Sequence, residues 1–213
     1  MTHTHYWGQH TVVTASTDRS IALWDPRVRR SPLFILRYHY SPVSDLLVGS
    51  RTDPLMVSAA GDGTIATWDF RALSGANKST ENPAEGSSSP VKTEGEKRTR
   101  AVRTPLATMK HGAEGKGVRQ SGSVMLARGV AHRNTVFSVG VDAIVREWDI
   151  PSGRPVSQEA TGHCDGISGL ATFSDAHNAL GAAEPGSEGN SNFGGIITSS
   201  WDGTIRMRKF VRQ

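Results

Sequence analysis

Residues 55–70 read LMVSAAGDGTIATWDF. An apolar, β-rich run from Leu55 to Ala60 meets Gly61-Asp62-Gly63, and a second, alternating run follows to Trp68. Asp-Gly favours tight hairpin turns, so the stretch reads as strand, turn, strand. A lone hairpin cannot bury its own apolar face. The question is therefore what else in the chain resembles it.

Three other stretches align on the same aspartate: VVTASTDRSIALWDP, TVFSVGVDAIVREWDI and IITSSWDGTIRMRKF. The aspartates are Asp18, Asp62, Asp142 and Asp202. Four residues before each stands a hydroxyl, at Thr14, Ser58, Ser138 and Thr198. Three residues after each stands Ile21, Ile65, Val145 or Ile205. Six residues after the first three come Trp24, Trp68 and Trp148, each followed by Asp. A recurring internal pattern of this kind signals a repeat architecture.

Together these residues resemble the WD40-repeat family of β-propellers, over most of the chain outside its inserts. Three Trp-Asp pairs in register with four hydroxyl–Asp pairs make the match specific. The resemblance implies an all-β propeller of four-stranded antiparallel blades, in which Trp-Asp closes the third strand. The repeats then end near residues 25, 69, 149 and 209. It also implies a buried network of His, Ser/Thr, Asp and Trp in each blade. His163 in TGHCDGISGL fits the histidine position, and His39 in RYHYSPVSDLL fits it without the preceding glycine. His111 fits less well, because its first strand, SVMLARG, begins about a dozen residues later. A buried carboxylate needs donors to offset its desolvation. Asp62 with Ser58, His39 and Trp68 is the expected pin of one blade. In the last unit Arg208 and Lys209 replace Trp-Asp, so that network should lack its indole donor.

The aspartates are 44, 80 and 60 residues apart. The first spacing fits one repeat and the others imply insertions. Residues 72–103 are rich in Ser, Gly, Pro, Lys and Glu and have little to bury, so disorder is expected there. Residues 174–193 read likewise as a long loop. TPLATMKH, after the first insert, reads as the fourth strand of the second blade. Strands counted this way total about fourteen, or three and a half blades. The ten residues before Thr11 are too few for a first strand and its loop. The chain therefore reads as the C-terminal half of a propeller, its ring completed by an upstream segment or by another chain.

Charge and chemistry narrow the function. The net charge is +4 over 213 residues. Nine Lys/Arg and five Glu between Ala72 and Gln120 account for all of it, so the basic character belongs to that one low-complexity segment and nucleic acid is an unlikely partner. Cys164, the single cysteine, excludes an internal disulfide and points to a cytoplasmic or nuclear setting. No run of apolar residues is long enough to span a bilayer, so membrane insertion is not expected. Cys164 beside His163 and Asp165 does not make a catalytic cluster, since adjacency in sequence is not convergence in space. His3, His5 and His10 have no carboxylate or thiol with them and read as solvated. The short basic runs VRR (28–30) and EKRTR (96–100) read as solvated segments, and Ser89-Pro90 as an accessible candidate for phosphorylation. No catalytic residue, metal ligand or cofactor is expected.

Protein or peptide binding remains. The resemblance places the recognition face at the residues before each turn aspartate, Thr17, Gly61, Val141 and Trp201. It adds those near the start of each first strand, Pro42, Ser44, Gly166 and Ser168. Trp201 is either a binding anchor or packed on a neighbouring blade. The parent function stays open between a general scaffold, a ubiquitin-ligase substrate receptor, a trafficking subunit and an RNA-processing protein that uses the basic insert.

Overall fold

The computed structural model describes residues 1–7, 10–27, 31–49, 54–69, 100–102, 104–112, 124–128, 134–174 and 194–210. Every regular element among them is a β-strand. The first sheet is β1 (His3–Trp7), β2 (Thr11–Ala15), β3 (Ser20–Trp24) and β4 (Phe34–Arg37), with β8 (Arg100–Val102) added parallel to β4. The second is β5 (Val43–Val48), β6 (Leu55–Ala60), β7 (Thr64–Asp69) and β9 (Ala107–Lys110). The third is β10 (Met125–Arg128), β11 (Thr135–Val139), β12 (Ile144–Asp149) and β13 (Pro155–Ala160). The fourth is β14 (Ile167–Ser174), β15 (Gly194–Ser200) and β16 (Ile205–Phe210). Within each sheet the meander is antiparallel, as a blade requires.

The blades stack face to face, and their first strands line one edge: β1 packs on β5, β5 on β10, and β10 on β14. Apolar side chains fill each seam. Val13, Ile21 and Leu36 of the first blade meet Leu46, Met56 and Trp68 of the second. Val57, Ile65 and Met109 of the second meet Leu126, Val136 and Trp148 of the third. Phe137, Val139 and Val145 of the third meet Ile167 and Ile196 of the fourth. The alternation seen in sequence thus serves two seams per blade, one on each face of the sheet.

Three readings need correction. A first strand does precede Thr11: β1 pairs with β2, Tyr6 opposite Val12. A strand needs only alternation and a ladder, and His3, His5 and Trp7 turn half-buried to one side while Thr4 and Tyr6 face out. His3 Nε2 also lies 2.8 Å from the Ser44 carbonyl oxygen of the next blade. Among the described residues the antiparallel meanders are therefore three of four strands and one of three. Secondly, residues 100–102 of the expected 72–103 insert form β8, whose backbone finds partners on the β4 edge; residues 72–99 and 103 lie outside the described residues. Thirdly, Ser174, assigned to the second insert, ends β14 opposite Gly194, and 175–193 lie outside the described residues.

The residue after each turn aspartate has positive φ, whatever its identity. It is 72° at Arg19, 84° at Gly63, 54° at Ala143 and 78° at Gly203. Two of the four are residues with a Cβ that this region disfavours. Arg19→Gly and Ala143→Gly are each expected to stabilise the chain by up to about 1 kcal/mol, read from urea midpoints. Gly63→Ala should do the reverse, because its Cβ would also lie 2.4 Å from the His111 carbonyl oxygen.

Candidate protein-binding face

The turns that carry the candidate face are held from beneath by the hydroxyl–indole networks. In every blade with a Trp-Asp pair, the indole N–H donates to the hydroxyl of the same unit. Trp24 Nε1 reaches Thr14 Oγ1 at 2.9 Å, Trp68 reaches Ser58 at 3.0 Å and Trp148 reaches Ser138 at 2.7 Å. A buried indole needs such an acceptor, which is why the hydroxyl recurs four residues before the turn.

Beyond that shared pair the blades differ. The third is the most complete. His111 Nδ1 lies 2.7 Å from Ser138 Oγ, and its Nε2 lies 3.1 Å from Asp142 Oδ1. Arg146, buried on β12, donates to Asp142 Oδ2 at 2.6 Å and places Nη1 2.9 Å from His111 Nε2. Burial alone would raise Asp142, but hydrogen bonds from His111 and Arg146 outweigh it and hold the carboxyl well below the usual range. His111 therefore belongs to the network, although sequence ranked it lowest. Distance along the chain misled, because the histidine is placed by β9 before it and not by β10 after it. The usable signal was local: TMKH places a histidine just after an apolar fourth strand, as RYH does at His39.

In the second blade His39 Nε2 meets Ser58 Oγ at 2.8 Å, but His39 Nδ1 is buried with no partner among the described residues. Asp62 instead accepts the Thr64 N–H at 2.9 Å and acts on His39 only through its charge. The expected four-residue pin is thus His39–Ser58–Trp68, with Asp62 beside it. Burial pushes His39 down to about 4, against the opposing pull of Asp62. In the first blade Asp18 is exposed and bonds only its own turn, Ser20 N at 2.9 Å and Ser20 Oγ at 2.5 Å. In the fourth, His163 links Thr198 Oγ1 at 3.0 Å to Asp202 Oδ2 at 3.0 Å, and no indole joins them among the described residues. Hydrogen bonds from Thr204, the Cys164 amide and His163 hold Asp202 low.

Above these networks backbone bonds stitch turns to loops around one rim. Val43 N donates to Ser16 O at 3.3 Å and Gly61 N to Pro42 O at 3.0 Å. Ile167 N donates to Gly140 O and Trp201 N to Gly166 O, both at 3.1 Å. Thr17 and Pro42 are exposed on this rim, and Gly61 is half-buried. Trp201 is 75% exposed and packs on none of the four blades described. Val141 is 49% exposed, and a Cβ on Gly166 would sit 3.1 Å from its Cα, so Val141 and Trp201 flank Gly166.

Other expected face residues are engaged in the fold. Gly166 is buried. Ser44 sits at a register shift in β5, and its hydroxyl lies 2.9 Å from Val124 O and accepts Val124 N at 3.2 Å, clasping the second blade to the third. Ser168 sits at the equivalent shift in β14, its Oγ 3.2 Å from Ser199 Oγ. The alternation of β5 and β14 hides such bulges from a sequence reading, because one extra residue leaves no compositional mark. Tyr40, 86% exposed on the same rim, escaped notice. Its signal was its place one residue after His39, where Cys164 stands after His163.

Residues 30–69 and 155–208 match the family model described as WD domain, G-beta repeat. The chain is 26% identical over 161 residues to the Ribosome biogenesis protein YTM1 of Meyerozyma guilliermondii. That match takes in 71% of this chain and 34% of the relative, so the chain spans about a third of that relative's length. Among solved structures, the computationally designed Ika8 protein superposes with a TM-score of 0.57 at 19% identity, over 98% of this chain and 45% of that one. The designed Ika4 protein gives 0.55 at 18%, over 97% and 89%. These two likenesses carry the fold alone.

Asp142→Ala strips a buried arginine of its partner and should cost about 3–5 kcal/mol by urea unfolding. Asp62→Ala, which loses mainly a turn bond, should cost about 1 kcal/mol. His39 has a folded value near 4 against 6.5 in the unfolded chain, so its contribution is present above pH 6.5 and is lost as pH falls towards 4. Stability should drop by on the order of 2–3 kcal/mol across that window, and His39→Gln should flatten most of the slope.

Proposed function

We infer, from the premise that this chain belongs to the WD40-repeat β-propeller family, that it works as a non-catalytic scaffold binding a protein or peptide on the stitched rim. The observation that carries this reading is Trp201, 75% exposed with Val141 beside it. A rigid aromatic held out of a hydrogen-bonded turn is a typical interface anchor, since it contributes area at little conformational cost. Tyr40 and Pro42 extend the rim on the second blade. The ring is completed by further blades, supplied by an upstream segment or by another chain, and the setting is cytoplasmic or nuclear.

One observation favours a particular scaffold. The relative of Meyerozyma guilliermondii is a ribosome biogenesis protein, and the basic stretch from Ala72 to Gln120 gives this chain its whole net charge. A nuclear role in assembling ribosomal particles fits both, with the rim holding protein partners and the basic stretch adding electrostatic contact to RNA. Under that reading RNA binding by the full-length polypeptide falls steeply with salt and is lost on deleting residues 72–103.

The rim is tested by purifying tagged parent and Trp201→Ala polypeptides from cells and quantifying co-purifying proteins. A hot-spot anchor worth about 2 kcal/mol predicts at least a tenfold drop in one set of partners, with thermal stability unchanged. Identical partner profiles would refute the rim as the binding face.

A further inference from the structure

The seam between the third and fourth blades departs from the other two at one pair of positions. On β3 and β4, Ile21 stands opposite Leu36, and Leu36 shares its core with Trp68 of the next blade. On β7 and β9, Ile65 stands opposite Met109, which shares its core with Trp148. On β12 and β13, Val145 stands opposite Glu159. The position of the indole, opposite Val136 in the third blade, is opposite Ile196 in the fourth, and there stands Arg208. Both members of an apolar pair have thus been exchanged together, for Glu159 and Arg208, which form an ion pair about half exposed to solvent.

An ion pair at the rim of a seam does not fill the volume an indole leaves. A cleft of about 380 Å³ opens at this place. Its apolar side is Val145 and Ile196, the residues that would face the ring, together with Met207. Its polar side is Thr161, Thr198, Arg206 and Arg208. The volume lies within the range of small-molecule sites, which pair an apolar floor with a few convergent polar groups. The Arg206 guanidinium has no ion pair or hydrogen bond among the described residues. Its Nη1 lies 2.9 Å from the place a Cβ on Gly162 would take, so the absent side chain at Gly162 leaves room for the guanidinium. In the third blade the matching residue, Arg146 opposite Ser138, is spent on Asp142. In the fourth blade Arg206 stands opposite Thr198 and is free to meet another acid.

We propose that this cleft binds a small aromatic carboxylic acid, its ring lying on Val145 and Ile196 where the other seams hold an indole, and its carboxylate pairing with Arg206. A guanidinium suits this ligand twice over, since it takes a carboxylate through two parallel N–H donors and also stacks on an aromatic face. Binding needs no change in the strands, because the neighbouring seams already show the ring-filled state in the same register.

The test titrates indole-3-acetate into the full chain, followed by calorimetry and by the NMR shifts of the Ile196 and Val145 methyl groups. For a ligand of this size the expected Kd is on the order of 1 mM or tighter, with uncharged indole at least tenfold weaker. Arg206→Ala should weaken indole-3-acetate at least tenfold. Arg208→Trp should refill the cleft, raise the unfolding midpoint and abolish binding. Non-saturating shifts, equal affinity for indole, or undiminished binding by Arg206→Ala would each overturn the proposal, and Arg206→Ala decides it even if Arg208→Trp fails to fold.

Discussion

A single requirement organises this chain: an indole buried in a dry seam must give its N–H to something. Ser58 and Ser138 meet that requirement at 3.0 and 2.7 Å. The consequence runs in two directions. The hydroxyl fixes the register of the second strand against the third, and the ring fixes how the blade sits on its predecessor. Trp68 and Trp148 are almost fully buried in those seams. A wrong register would move every side chain to the opposite face and leave the indole donor unsatisfied, a double cost that few alternatives escape.

The same device positions the rim. The turn aspartate lies four residues beyond the hydroxyl, so a pinned hydroxyl leaves the turn little freedom. The third blade carries this furthest, with His111, Asp142 and buried Arg146 in one hydrogen-bonded group. In the fourth blade His163 and Asp202 hold the turn without an indole, and that turn displays Trp201. The exposed ring lies outside the three described seams, so changing it empties none of them.

Much of this was legible in sequence because it is periodic. Four aligned aspartates gave the hairpins, and three Trp-Asp pairs gave the closing strands at Trp24, Asp69 and Asp149. TPLATMKH was readable as a fourth strand because its alternation survives the insert before it. What was not legible depends on non-local contact. β1 is a strand because β2 and Ser44 offer it partners, and five residues of HTHYW do not say so alone. Asp62 and Asp142 occupy the same repeat position, yet of the two only Asp142 bonds its histidine, and only it has an arginine beside it, Arg146, where the second blade has Ala66. Ser44 looked like a surface residue and proved to be a clasp, because a bulge turned it towards the third blade. The paired exchange of Met109 and Trp148 for Glu159 and Arg208 could be seen only once the strand registers were known.

The account rests on the indole-filled seams being the firm ones, and amide hydrogen exchange measures that most directly. The β11–β12 ladder is pinned by Trp148, whereas the β15–β16 ladder has Arg208 at the same place. Protection should therefore be markedly greater in β11–β12, with β15–β16 opening at the low end of the local stabilities. Equal protection in the two ladders would mean that the indole and its hydroxyl do not hold the blades in place, and the account would fail at its foundation.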